Sequence, residues 1–111
     1  MTEDGMVARV TADSGSPWFA GHFPGDPILP GIAQLKMVAE LIAGFRNNEV
    51  YLTGLSRVRF KKIVRPGEPL DIHAVPANKE NQYAFRITSS GRDICSGVML
   101  FAAKDLSKAN L

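Results

Sequence analysis

Between Gly21 and Gly31 the chain reads Gly-His-Phe-Pro-Gly-Asp-Pro-Ile-Leu-Pro-Gly, which brings one imidazole, that of His22, close to the start of an apolar stretch. Backbone N–H groups at the beginning of a helix, made approachable by Gly31, stabilise negative charge developing on a carbonyl oxygen. A histidine beside them is suited to taking up a proton near neutral pH. Base and N–H donors together point to proton transfer next to a carbonyl. The alternative is a histidine that only hydrogen-bonds within a tight loop; the prolines that stiffen the segment favour the chemical reading.

A second group of polar side chains is basic. Arg57, Arg59, Lys61, Lys62 and Arg65 follow one another with no acid between Glu49 and Glu68. Strand alternation predicts that Arg57, Arg59 and Lys61 share one face. A solvated face or a charge-protected sheet edge would explain such a run by itself. Nucleic acid would call for interleaved aromatics, and only Phe60 is present, so no nucleic-acid partner is expected. His73 and Cys95 stand in strand-like runs without neighbouring ligands and read as structural, and no metal site is expected. Trp18 and Phe19 precede the histidine loop and read as core or interface.

The elements that must position these groups follow from periodicity and punctuation. Weak alternation from Met6 to Thr11 predicts an opening strand. Residues 13–31 carry Gly15, Pro17, Gly21, Pro24, Gly25, Pro27, Pro30 and Gly31, which predicts a long, ordered, irregular loop of the kind that usually has a function. From Pro30 to Arg46 apolar residues cover almost every face, broken only by Gln34, Lys36 and Glu40, so a buried helix with proline in its first turn is expected there. Asn47 and Asn48 end it. Beyond them the chain reads as β: Tyr51–Val64, a Pro66-Gly67 turn, alternation over 70–75 and 83–88, a Ser89-Ser90-Gly91-Arg92 hairpin turn, and a last run over 93–103. The expectation is an α+β domain in which a meander of four strands and the opening strand form a curved antiparallel sheet around one central helix.

Length and composition set the bounds. The chain has 111 residues, 45% of them hydrophobic and 22% charged, which predicts one globular domain over 1–111 and excludes disorder. So short a chain buries only about two-thirds of its unfolded surface, so a formed pocket is expected to need a second subunit. A single cysteine excludes a disulfide framework within the chain. There is no signal-peptide pattern at the N-terminus and no long uncharged apolar run, so a cytoplasmic protein without membrane contact is expected. A net charge of +2 implies no polyanionic partner.

Residues 21–31, followed at once by an apolar helix, resemble the signature of the 3-hydroxyacyl-(acyl-carrier-protein) dehydratases of the hotdog fold. Val58-Arg59-Phe60-Lys61-Lys62-Ile63-Val64-Arg65-Pro66-Gly67-Glu68 is similar to that family's Arg-Phe-Lys-x-x-Val-x-Pro-Gly-Asp segment, and the hairpin from Tyr83 to Ala103 matches its last two strands. The resemblance implies a curved sheet around one long helix, and dimers with sites at the subunit interface. It implies that His22 takes the proton from C2 of a 3-hydroxyacyl thioester, with Gly31 supplying N–H stabilisation of the carbonyl. Phe23, Pro24, Gly25, Leu29, Pro30 and Phe60 would line the substrate site. Arg57, Arg59, Lys61, Lys62 and Arg65 would receive an acyl-carrier protein and its phosphopantetheine-linked acyl group. No cofactor or metal is implied.

The sequence departs from the family at two positions of the helix. The family's helix carboxylate, which protonates the departing C3 hydroxyl, lies fourteen positions beyond the histidine, where this chain has Lys36; Glu40 stands one helical turn further on, in the usual place of a glutamine. A structural ion pair between Lys36 and Glu40 is one reading. Three chemical routes are open besides: a Lys36 ammonium made acidic by burial, Glu40 acting through one water, or a heterodimer in which His22 meets the carboxylate of an intact paralogue. Homodimer, heterodimer and higher oligomer are all compatible. A catalytically incomplete subunit and an acyl thioesterase are the alternative functions, the second because one fold hosts several chemistries.

Overall fold

A computed structural model of the chain describes residues 5–11 and 29–104. In chain order they form strand β1 (Met6–Thr11), helix α1 (Gly31–Phe45), and strands β2 (Val50–Phe60), β3 (Pro69–Pro76), β4 (Gln82–Ser89) and β5 (Arg92–Ala103). All strand pairings are antiparallel, and the sheet order is β1-β3-β4-β5-β2. The expected four-strand meander is therefore only a three-strand one, β3-β4-β5. β2 sits at the far edge beside β5 because the link over residues 61–68 is longer than a hairpin loop and carries the chain across the sheet.

The turns follow local chemistry. Pro66 and Gly67 close the turn before β3, with Gly67 at a φ of 86° and the Glu68 N–H donating to the Arg65 carbonyl at 3.3 Å. Ser90 and Gly91, at φ 51° and 81°, form the two-residue hairpin between β4 and β5, where two positive φ values match the twist of the strands. The helix starts at Gly31 because Pro30 holds an extended conformation, and it stops where Asn47 and Asn48 both turn left-handed at φ 58°.

The core is the surface shared by α1 and one sheet face. Val38 and Ile42 of α1 are wholly buried with Leu70 and Ile72 of β3, Ile87 of β4, and Cys95 and Met99 of β5. Period-two alternation in β3 supplies one inward side chain in every pair, Leu70, Ile72 and Ala74. A flat five-stranded sheet is roughly 19 Å between its outer strands, wider than a helix of about 10 Å. Since α1 approaches both edge strands, β1 and β2, the sheet curls around it. At the helix C-terminus the Arg46 guanidinium donates to the Tyr83 hydroxyl at 2.8 Å, and Tyr83 meets Phe101 edge to face at 5.9 Å. Outside, the Arg9 guanidinium donates to Asp71 at 2.9 and 3.1 Å, tying β1 to β3 and holding the Asp71 carboxyl below the usual range.

The helix is not buried all round. Ile32, Lys36, Glu40 and Gly44, spaced four apart, form an exposed stripe, and Ile32 is 71% exposed. The sheet covers one side of α1 only. No helix among the described residues is long and apolar enough to cross a membrane.

Because Ile42 lies at the centre of this interface with no exposure, Ile42→Ala is expected to cost about 2–5 kcal/mol, read as a lower denaturant midpoint with an unchanged slope.

Candidate functional site

The site is assembled where the start of α1 meets the end of β2. The Leu29 N–H donates to the Val64 carbonyl at 2.7 Å, which fixes the approach to the helix against the segment after β2. Pro30 then accepts at its carbonyl from the Ala33 and Gln34 N–H groups, at 3.1 and 3.2 Å. These bonds begin the helical ladder and leave the N–H groups of Gly31 and Ile32 without a partner among the described residues, as helix starts do. Among the described residues no side chain caps this end, and no acid lies in the first turn. The donors needed for a carbonyl oxygen are thus unspent among the described residues.

Phe60, the last residue of β2, lies against this opening. A Cβ placed on Gly31 would come within 2.7 Å of Phe60 Cζ and 2.8 Å of Cε1, so a side chain here would make the ring shift, and the constraint comes from the ring's proximity rather than from backbone torsion. A cavity of about 300 Å³ is lined here by Leu29, Pro30, Gly31, Gln34, Phe60, Lys62 and Ile63. The structure therefore brings together four residues assigned to the site from sequence, Leu29, Pro30, Gly31 and Phe60. His22, Phe23, Pro24 and Gly25 lie outside the described residues.

Lys36 and Glu40 face away from the core and are exposed, and they form no ion pair with each other among the described residues. The structural pairing entertained from their spacing is absent. So is the burial on which an acidic Lys36 depends: this chain alone does not desolvate it.

The basic run is exposed at all five positions, but its geometry differs from the expected strand face. β2 carries an extra residue between Leu52 and Gly54 and another between Ser56 and Arg59, relative to β5. Arg57 sits in the second bulge at a φ of 56°. Regular alternation between Arg57 and Arg59 is broken there, and the strand ends at Phe60, before Lys61 and short of the expected Val64. Lys61 and Arg86 both approach Asp93, at 3.6 and 3.7 Å, an exposed arrangement of little energetic weight.

Sequence reading passed over Gln34 as a mere interruption of an apolar helix. It is 3% exposed, and its side-chain N–H donates to the Leu29 carbonyl at 3.4 Å. The available signal was its place, one turn after Gly31 on an otherwise apolar face. Cys95 is buried, and burial pushes its thiol up to about 11, which suits a structural rather than a nucleophilic sulfur. No group of three or more His, Cys, Asp or Glu side chains that could hold a metal occurs among the described residues.

One curled antiparallel sheet around one helix, with a cavity at the helix N-terminus, defines a hotdog-fold domain. The fold is shared with the dehydratase heterocomplex ApeI:P from Xenorhabdus doucetiae, with a TM-score of 0.80 at 23% identity over 88% of this chain and 87% of that one. An acyl-CoA hydrolase from Staphylococcus aureus has it too, with a TM-score of 0.69 at 15% identity over 93% of this chain and 65% of the other. In sequence, residues 1–98 match the ApeI-like family, described as ApeI dehydratase, and the chain belongs to that family. The 3-hydroxyacyl-(acyl-carrier-protein) dehydratase FabZ of Clostridium perfringens is 30% identical over 92% of this chain and 81% of its own length. That of Syntrophobacter fumaroxidans is 36% identical over 63% of this chain. There the chain spans only 53% of its relative's length.

The contact between Gly31 and Phe60 generates a test of site geometry. Gly31→Ala forces the ring to move and is expected to cost about 1 kcal/mol, whereas in a Phe60→Ala background the same change should be close to neutral. Chemical denaturation of the two single variants and the double variant gives the coupling, expected to exceed about 0.5 kcal/mol.

Proposed function

We propose that this protein serves in the reversible dehydration of 3-hydroxyacyl thioesters carried by phosphopantetheine, and that its site is completed by a second subunit. The observation that carries the reading is the cavity at Gly31, where helix N–H groups that have no partner among the described residues meet a space lined by Leu29, Pro30 and Phe60. Membership of a dehydratase family supports it. The thioester carbonyl would accept from Gly31 while His22 removes a proton from C2. The C2–C3 double bond then forms as the C3–O bond breaks, and the hydroxyl leaves as water once a proton donor supplies it.

The proton donor is the missing part. Lys36 is exposed in the single chain, and Glu40 lies a turn further from the helix start. Of the three routes, the exposure of both side chains favours a carboxylate contributed by a partner, with His22 as this chain's share. The solved heterocomplex of a family relative is a precedent for mixed assembly. Two surfaces suit a second copy or a paralogue: the exposed stripe of α1, and the free edge of β2, an 11-residue strand that exposes Tyr51, Leu52, Leu55 and Phe60. An edge this long and apolar is ordinarily paired or covered. The exposed cations at 57, 59, 61, 62 and 65 would meet the acidic carrier protein.

Light scattering of the purified chain at micromolar concentration is expected to give a dimer, and Leu52→Lys with Leu55→Lys to shift it toward monomer; a monomeric parent would rule out completion by a second copy. Hydration of an enoyl thioester by the chain alone is expected to be slow, and Lys36→Glu to raise it by about 10²- to 10⁴-fold. His22→Ala should abolish turnover, alone or mixed with a paralogue that keeps the helix carboxylate, with little change in thermal stability. Full activity of His22→Ala in such a mixture would overturn the assignment of the base.

A further inference from the structure

Gln34 is the one buried side-chain polar atom problem among the described residues: its carbonyl oxygen, Oε1, has no hydrogen-bond partner and no contact with solvent. The orientation of the amide is not arbitrary. The atom 3.4 Å from the Leu29 carbonyl must be the nitrogen, since a carbonyl oxygen only accepts, and this leaves the oxygen as the orphan. Leaving such an acceptor buried and unsatisfied destabilises the fold. An apolar residue of the same length, such as methionine, would avoid that cost on a helix whose neighbouring positions Ala33, Leu35, Met37 and Val38 are all buried and apolar.

The place of the orphan matters as much as its existence. Gln34 lines the same cavity as Gly31, and the two residues are i and i+3 neighbours, on one face of the helix and about 5–6 Å apart at their side-chain origins. In a 3-hydroxyacyl thioester the carbonyl carbon and the hydroxyl-bearing C3 are separated by one carbon, C2. With the thioester carbonyl at the Gly31 N–H, the C3 end of the ligand would lie along the cavity wall that Gln34 helps to form. Of the polar groups at that end of the ligand, only the hydroxyl can donate.

We infer that Gln34 is a specificity-determining residue, whose Oε1 accepts a hydrogen bond from the C3 hydroxyl of the bound acyl group and so selects 3-hydroxyacyl over saturated acyl thioesters. The inference rests on the thioester reading above and adds the residue that recognises the hydroxyl. Gln34 neither gives nor takes a proton in this role. It orients the leaving group, and the stability lost by burying an unmatched oxygen is recovered when the ligand arrives.

The test uses the full chain and two ligands that differ by one oxygen, the amide analogues of 3-hydroxybutyryl-pantetheine and butyryl-pantetheine. Their C2 protons are too weakly acidic to be removed, so binding is read without turnover. Calorimetric titration is expected to show the hydroxylated analogue binding about tenfold more tightly to the parent protein, the worth of one buried hydrogen bond. In Gln34→Met that preference should vanish with affinity for the butyryl analogue retained, while the melting temperature stays level or rises. Gln34→Leu supplies a second variant should methionine pack poorly. A Gln34 that only ties down Leu29 would instead lose stability and weaken both ligands alike, which would overturn the proposal. Equal affinities in the parent protein, as when a water satisfies Oε1, or a preference that survives in Gln34→Met would overturn the role of Gln34 alone. Failure of both analogues to bind the parent protein would overturn the thioester reading, and this assignment with it.

Discussion

The apolar face of α1 has to be taken out of water, and the rest of the molecule can be understood as the means of doing so. A fifteen-residue helix carrying Val38 and Ile42 has too little surface to bury against a flat ribbon, and the sheet answers by curling until both of its edges approach the helix. That curvature sets where everything else goes. It brings the end of β2 to the start of α1, so that Phe60 covers Gly31 and a cavity is left between them. It leaves the opposite side of the helix uncovered. The chemistry at the N-terminus and the surfaces available to a partner thus have one origin.

Burial also sorts the polar residues of the helix into two kinds. Lys36 and Glu40 fall on the uncovered side, where charge costs little and stays available to whatever packs there. Gln34 falls on the covered side, where an unmatched oxygen is expensive. Helical periodicity alone separates the two groups, because positions 36 and 40 share a face that position 34 does not. A heterodimeric reading of the site and a recognition role for Gln34 are therefore compatible, since they draw on different faces of one element.

Much of this was legible in the residues themselves. Met6–Thr11 was read with the bounds it has, the hairpin turn was read as Ser89-Ser90-Gly91-Arg92 and has Ser90 and Gly91 at its centre, and the helix was read to within a residue at each end, because proline, paired asparagines and positive-φ turn residues act locally. Neighbourhood in the sheet was not legible. Nothing in the alternation of β2 says that its partner is β5 rather than β3, since pairing is decided by the tertiary path of the link between them. The bulge at Arg57 was invisible for a related reason: an extra residue exists only relative to the opposite strand. The exposed stripe of α1 was masked by Ile32 and Gly44, whose types say nothing against burial. At the site, the glycine and proline entry to the helix could be read directly, whereas the cavity wall required knowing that residues 29, 34 and 60 meet.

The strand order carries a consequence for how the molecule comes into being. β2 is made immediately after the helix, yet its partner β5 is the last strand, so the hydrogen bonds between them wait until the chain has lengthened by more than thirty residues. Through that interval a nascent chain exposes a long, branched and aromatic segment with both backbone edges open, the kind of stretch that recruits wrong partners. The two bulges give the segment an uneven spacing that an arbitrary strand does not match, and Arg57 and Arg59 add charge to it. Irregularity that looks like a flaw in the finished sheet would, during synthesis, count against premature self-association.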